Sequence, residues 1–525
     1  KIKETLCSHI SFTLWKKLKS KILELLMNKN LVVADALVIE VDGNNKPIIL
    51  ENSAALVQDG IINEIGPTNE LRQKYQNVPE IGGNGMVAMP GFINAHHHVG
   101  LTPFQLGARD QPLELWFAER VKMRDLCPRL DTLFSAFEMI SSGVTTVQHL
   151  QSRAPGNLPS VLDRANKIIS AYCEVGMRAS YSFALRDQNR MIYDSDEKFI
   201  ELLPSQLRSN AADYLNSFSL SLDEQLDVFN VLKSKYKDND LIEVQLAPAN
   251  LHWLSDSALE TTAKIAEQTG AKLHMHLLET PYQAEYAKRR TGGSALEFID
   301  GLGLVGPQMT IGHGVWMSND DIALMSDRGA CLCHNCSSNL RLKSGITDIN
   351  SFLDENVRIA LGIDEAGIND DRDMLQEMRL ALTLHRPAGH QKSFPSAAQI
   401  FKMATENGAL TTPFSESIGK LKTGMSADLV LFDWKDITWP YQDKDIPLLE
   451  VFLRRAKRSS VKTVIIGGEI VYQNGCFVKV DHKNILDQIH QDLSRKDTPK
   501  ELNRRDTSKN ILSTVEKFYQ GWLKK

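Results

Sequence analysis

Two textures alternate along this chain. Residues 31 to 90 run in short apolar segments of strand length, such as Leu31-Val32-Val33 and Ala55-Leu56-Val57, cut by Asp42-Gly43 and Asp59-Gly60. Strand side chains alternate between two faces and Asp-Gly suits a two-residue hairpin, so this pattern predicts a small β unit. The same texture returns after residue 415, where Asp428-Leu429-Val430-Leu431-Phe432 and Val464-Ile465-Ile466 read as strands and Gly467-Gly468 and Asn474-Gly475 as turns. The ends of a domain usually lie close together, so residues 31–90 and 415–480 are expected to build one composite β-sandwich.

Between them, residues 91–414 alternate strand-like apolar runs with amphipathic helical stretches, as repeated βαβ units do. Eight strands are predicted. They reach the His96 region, His149, Phe183, Ala247, His276, His313, His334 and Asp364. Eight parallel strands close a (β/α)8 TIM-like barrel, whose chemistry gathers where strands run into their following loops. Residues 187 to 242 read as a helical insertion. The polar segment 481–525 is expected to be a helical tail, with Ile511, Leu512, Val515, Phe518, Tyr519 and Trp522 as one apolar stripe against the body or a second subunit.

A length of 525 residues suits this two-unit plan. The 60 basic and 65 acidic residues, net charge -5, provide no polycationic face, so the expected partner is a small molecule and not nucleic acid. No apolar run reaches the roughly 18 residues needed to span a bilayer. Residues 1–30 carry an apolar-basic stretch interrupted by Lys16, Lys17, Lys19 and Lys21; we read it as an amphipathic extension, with Met27 as a candidate start, and expect no stable membrane association. Seven cysteines make no disulfide framework, which points to a reducing, cytoplasmic setting. The cluster CLCHNC at 331–336 lacks a second cysteine pair at finger spacing and reads as buried strand cysteines beside a site.

Nine of the fourteen histidines fall between residues 96 and 334, mostly at predicted strand ends. His96 and His98, at i and i+2, project from one strand face and can grip one ion while His97 points elsewhere. On the fifth strand either His274 or His276 can join them, and spacing leaves that choice open. Glu279 follows at the same strand end, His313 lies between two glycines, and Asp364 ends the eighth strand. A mixed nitrogen and oxygen shell suits zinc or ferrous iron.

These residues, in this order, resemble the amidohydrolase superfamily, in its cytosine deaminase-like and chlorohydrolase-like branch. The resemblance spans about residues 31 to 480 and rests on PGFINAHHH, RDQPLELW, GVTTVQH, HLLET, GHGVW, HNCSSNLRLKSG and GID, with IGKLKTGMSADLVLFD as the return into the β unit. It implies one divalent metal per chain, zinc with iron as the alternative, held by His96, His98, His276 and Asp364. The HxxE spacing then selects His276 over His274. Ala247-Pro248-Ala249-Asn250 offers no lysine where two-metal relatives carry a carbamylated one. Glu279, His313 and Asp364 are the implied catalytic residues, and Gln148, Arg186, His334 and Asn339 match segments that line the pocket in relatives. Homo-oligomerisation, as a homodimer or larger, is also implied.

The expected activity is deamination of an aminated purine, pyrimidine or triazine-like ring by water that the metal activates. Dechlorination, alkylamine removal or cyclic amide hydrolysis on the same site is the alternative enzyme reading. A non-catalytic barrel scaffold fits less well, because the ligand set is complete. A metal store built on CLCHNC would hold several soft-metal equivalents per chain.

Overall fold

The computed structural model describes residues 29–98, 100–152, 154–218, 220–390 and 394–523; all but the last two residues of the expected amphipathic extension lie outside these. Five strands precede the barrel: β1 (Lys29–Val41), β2 (Pro47–Gln58), β3 (Ile61–Pro67), β4 (Glu80–Gly82) and β5 (Met86–Pro90). The barrel follows as β6 (Phe92–His97), β7 (Val144–Gln151), β8 (Arg178–Leu185), β9 (Ile242–Val244), β10 (Ala247–Pro248), β11 (Leu273–Leu277), β12 (Met309–His313), β13 (Cys331–His334) and β14 (Arg358–Leu361). The chain then returns through β15 (Leu429–Asp433), β16 (Val461–Ile466), β17 (Glu469–Gln473) and β18 (Cys476–Phe477).

Strands from both chain ends join one nine-stranded sheet in the order β18-β17-β16-β15-β5-β1-β2-β3, with β4 also beside β1. Its middle is the antiparallel pair of β5 and β15, which ties residues 86–90 to residues 429–433. Val32, Leu37, Ala88, Leu431 and Ile465, from β1, β5, β15 and β16, bury together, so the sheet curls around its own apolar face. Asp59-Gly60 and Asn474-Gly475 both take positive φ at each position, as a two-residue hairpin turn between right-twisted strands requires.

In the barrel, β6, β7 and β8 pair in parallel, as do β11 to β14. The fourth staves are the short β9 and β10, interrupted at Gln245-Leu246; Pro248 in β10 has no N–H to donate. Leu246 bridges to Leu273, and His97 bridges to Asp364, so the sheet closes on both sides into a ring. The helical insertion forms Asp196–Leu202, Ser205–Asn216 and Leu222–Tyr236. In the tail, helix Pro499–Tyr519 buries Ile511, Val515 and Tyr519 against Trp116 and Phe117, on the flank of the barrel mouth.

Candidate metal centre

Alternation on β6 and β11 turns His96, His274 and His276 into the barrel, and His98 follows just beyond β6. His97 faces outward, its Nε2 3.3 Å from Ser135 Oγ. The Nε2 atoms of His96 and His98 are 3.0 Å apart, those of His98 and His276 3.1 Å. Asp364 Oδ1 lies 3.5 Å from His96 Nε2 and 3.2 Å from His98 Nε2. Four donor atoms therefore surround one point.

What fits them to a cation is the far side of each ring. His98 Nδ1 donates to Leu150 O (2.6 Å) and His276 Nδ1 to Ala249 O (2.8 Å). The proton is thereby fixed on Nδ1, and Nε2 is left with a bare lone pair aimed inward. His96 Nδ1 meets His274 Nε2 at 2.8 Å, which orients His96 in the same way. Lone pairs 3 Å apart repel unless a positive ion sits between them. Burial, then the neighbouring imidazoles, hold His96 and His276 well below the usual histidine range, so both are neutral, as ligands must be. Burial opposes charge on Asp364 too, but positive charge beside it, a proton on His98 Nε2 standing where the cation would bind, outweighs burial and holds the carboxyl below its ordinary range. The set is three nitrogens and one oxygen, which suits zinc.

Glu279 and His313 border this point. Burial pushes the Glu279 carboxyl up to about 7, so near neutrality it still holds a proton. Ser344 Oγ donates to its Oε1 at 3.3 Å. His313 stands between the two carboxyl groups, with Nδ1 3.7 Å from Glu279 Oε1 and Nε2 3.8 Å from Asp364 Oδ2. Its Nδ1 donates to Asn339 Oδ1 (2.8 Å), and Asn335 Nδ2 donates to its Nε2 (3.3 Å). Ser338 Oγ donates to Asp364 Oδ2 at 2.5 Å. The backbone is strained here: Leu278, His313 and Asp364 take φ of 50°, 72° and 63°, a region costing non-glycine residues about 1–3 kcal/mol each. Gly362 keeps the site compact, since a Cβ there would fall 2.4 Å from Asn335 Oδ1 and 2.5 Å from His96 Cβ.

A cavity of about 190 Å³ opens above His98, lined among others by Arg120, His149, Gln151, Arg164 and Arg504. Residues 87–471 match the amidohydrolase family. The chain belongs to that family.

This amidohydrolase is 28% identical over 449 residues to a 5'-deoxyadenosine deaminase of Methanopyrus kandleri, covering 84% of the chain and 94% of that relative. It is 26% identical over 453 residues to a 5-methylthioadenosine/S-adenosylhomocysteine deaminase of Thermodesulfovibrio yellowstonii, covering 85% and 94%. In fold it is similar to an adenosine deaminase from Xanthomonas campestris with bound zinc (TM-score 0.73, 23% identity, 91% and 98% covered). An atrazine chlorohydrolase from Arthrobacter aurescens complexed with zinc also shares the fold (TM-score 0.74, 20% identity, 88% and 99% covered). The amidohydrolase is a hydrolase of carbon–nitrogen bonds with a candidate histidine-rich metal site, and both of these sequence relatives are deaminases.

Of the four residues expected at the substrate, the amidohydrolase brings one to the centre. Asn339 orients His313. Gln148 is buried inside the barrel, bonded to Ser182 Oγ at 3.1 Å on the neighbouring strand. Arg186 stacks 3.7 Å over the Trp253 ring and lines a separate cavity of about 50 Å³. His334 departs from expectation: its ring faces out of the barrel onto His385 and Cys336. Strand parity is the reason. Cys331 and Cys333 hold the inner face with Ala95 and Ala360, so His334 takes the outer one. The same parity turns Asn335 inward, a residue the sequence reading passed over although HNCSSN contains it. Ser338 and the orienting role of His274 were also missed; the first lies in that motif, but the second depends on a ring nitrogen that spacing does not reveal.

Proposed function

We propose that the protein deaminates a 6-aminopurine nucleoside, using one zinc ion per chain held by His96, His98, His276 and Asp364. The observation that carries this is a pair of carboxyl groups driven in opposite directions on either side of His313. Asp364 is ionised and can take a proton, while Glu279 is protonated near neutrality and can give one. The adenosine-type substrates named for the relatives favour the purine among the heterocycles considered.

A divalent ion held at this point would supply acidity, lowering the pKa of a water toward about 7. The side chains do the rest. Asp364 accepts the proton of the attacking water, with its other oxygen fixed by Ser338. Glu279 delivers its proton to the ring nitrogen beside the amine-bearing carbon, so that this carbon can become tetrahedral without negative charge building up on the ring. His313, oriented through Nδ1 by Asn339, turns Nε2 toward the nucleophile and holds it in line. Asp364 then passes the water proton to the amine, the carbon–nitrogen bond breaks to release ammonia, and the hydroxyl proton returns to Glu279 as the carbonyl forms.

The test is ammonia release from a panel of adenosine, 5'-deoxyadenosine, 5'-methylthioadenosine, S-adenosylhomocysteine, guanine, cytosine and a chlorotriazine. Ammonia from the adenine nucleosides is expected, with turnover falling about 10²- to 10⁴-fold in Asp364→Asn while the fold is kept. Chloride release from the triazine without ammonia from any nucleoside, or an Asp364→Asn variant as fast as the parent, would overturn the reading.

A further inference from the structure

His334, Cys336 and His385 form a second cluster, outside the barrel interior. All three are buried, and their donor atoms lie within 4.8 Å of one another. His334 Nε2 is 2.9 Å from His385 Nε2 and 2.8 Å from Cys336 Sγ. Protons alone serve this arrangement badly. An imidazole nitrogen has one in-plane position, which either carries a hydrogen or accepts one. If Cys336 donates to His334 Nε2, His385 finds that lone pair taken. If His334 donates to His385, the thiol has no acceptor there. The opposite nitrogen, His334 Nδ1, is buried with no hydrogen-bond partner at all. A cation shared by His334 Nε2, His385 Nε2 and Cys336 Sγ removes the conflict at those three atoms, with the His334 proton on Nδ1.

We infer that this cluster is a second metal site, for a zinc-class ion bound by two imidazoles and a thiolate with a fourth position open. Soft sulfur with two nitrogens is the donor set such an ion takes, whereas hard ions such as magnesium or calcium prefer oxygen. The site is separate from the catalytic point. Cys333 and Asn335 face inward, Asn335 reaching His313, whereas His334 and Cys336 face the helix Met374–Leu384, whose C-terminal cap is His385. The finger-like spacing that CLCHNC lacks in sequence is supplied in space by a histidine about fifty residues away. Binding releases the Cys336 thiol proton to solvent as the sulfur–metal bond forms.

Zinc-loaded, dialysed protein should hold two ions per chain by elemental analysis, and Cys336→Ala about one. Replacing zinc with cobalt should give a near-ultraviolet sulfur-to-cobalt charge-transfer band, which the nitrogen and oxygen set of the catalytic centre does not produce. The band should survive Cys333→Ala and vanish in Cys336→Ala. Should Cys336→Ala fold poorly, His385→Gln serves instead, with affinity for the second ion weakened at least about tenfold. One ion per chain in the parent, or a band that persists in the Cys336 and His385 variants, overturns the inference. Neither readout depends on turnover, so the outcome stands apart from that of the substrate panel.

Discussion

His274 and His276 occupy one face of one strand, two residues apart, and differ in which ring nitrogen is free. His276 spends Nδ1 on the Ala249 carbonyl and points Nε2 at His98, while His274 spends Nε2 on His96 and leaves Nδ1 with no partner. One is built as a ligand and the other as the residue that orients a ligand. His276→Ala should therefore abolish zinc binding at this centre, whereas His274→Ala should weaken it by about 10- to 100-fold, the usual cost of losing an orienting partner. Competition with a chelating dye measures both; equal losses would mean the roles are wrongly divided. Sequence spacing made the two equivalent, because the distinction depends on carbonyl and imidazole partners contributed by other strands.

At the level of elements, the barrel and the curled sheet are clamped by one buried ion pair. Arg178, at the start of β8, meets Asp428, just ahead of β15, through Nε–Oδ2 at 2.9 Å and Nη2–Oδ1 at 3.0 Å. Burial penalises the Asp428 charge, but Arg178 outweighs it and holds the carboxyl below its ordinary value. A depressed carboxylate pKa stabilises the fold fully above the unfolded value and loses that contribution as pH falls through the native one. Asp428→Asn should cost about 3–5 kcal/mol at neutral pH, since it strands a buried guanidinium. The gap between variant and parent in denaturant melts should narrow on acidification; a gap independent of pH would show that charge is not the cause. Most of the strands joined here were legible as alternating apolar runs, since burial on one or both faces writes itself into composition. The broken fourth stave and the outward turn of His334 were not. In the first a proline interrupts pairing, and in the second an apparent motif residue sits on the wrong parity of its strand.

Across the whole molecule, the metal centre lies on the seam where the barrel closes. His96 comes from the first barrel strand and Asp364 follows the last, and the seam itself is held by the His97–Asp364 bridge and the hydrogen bond from Asp364 N to His96 O at 2.8 Å. His276 adds a ligand from the opposite part of the ring, on β11. An ion bound to all of them ties together segments separated by up to 268 positions in the chain, and must be released when the barrel opens. Ligand that binds only the folded state stabilises it by about 4 kcal/mol when free ion is a thousandfold above its dissociation constant. Removing the metal with a chelator should therefore lower the thermal unfolding midpoint, and zinc should restore it. In His276→Ala the catalytic contribution is gone, so whatever shift chelation still produces belongs to the second cluster, and in the His276→Ala/Cys336→Ala double variant the midpoint should no longer respond to chelator. A midpoint that moves equally in the parent and the double variant would show that neither cluster couples metal to barrel closure.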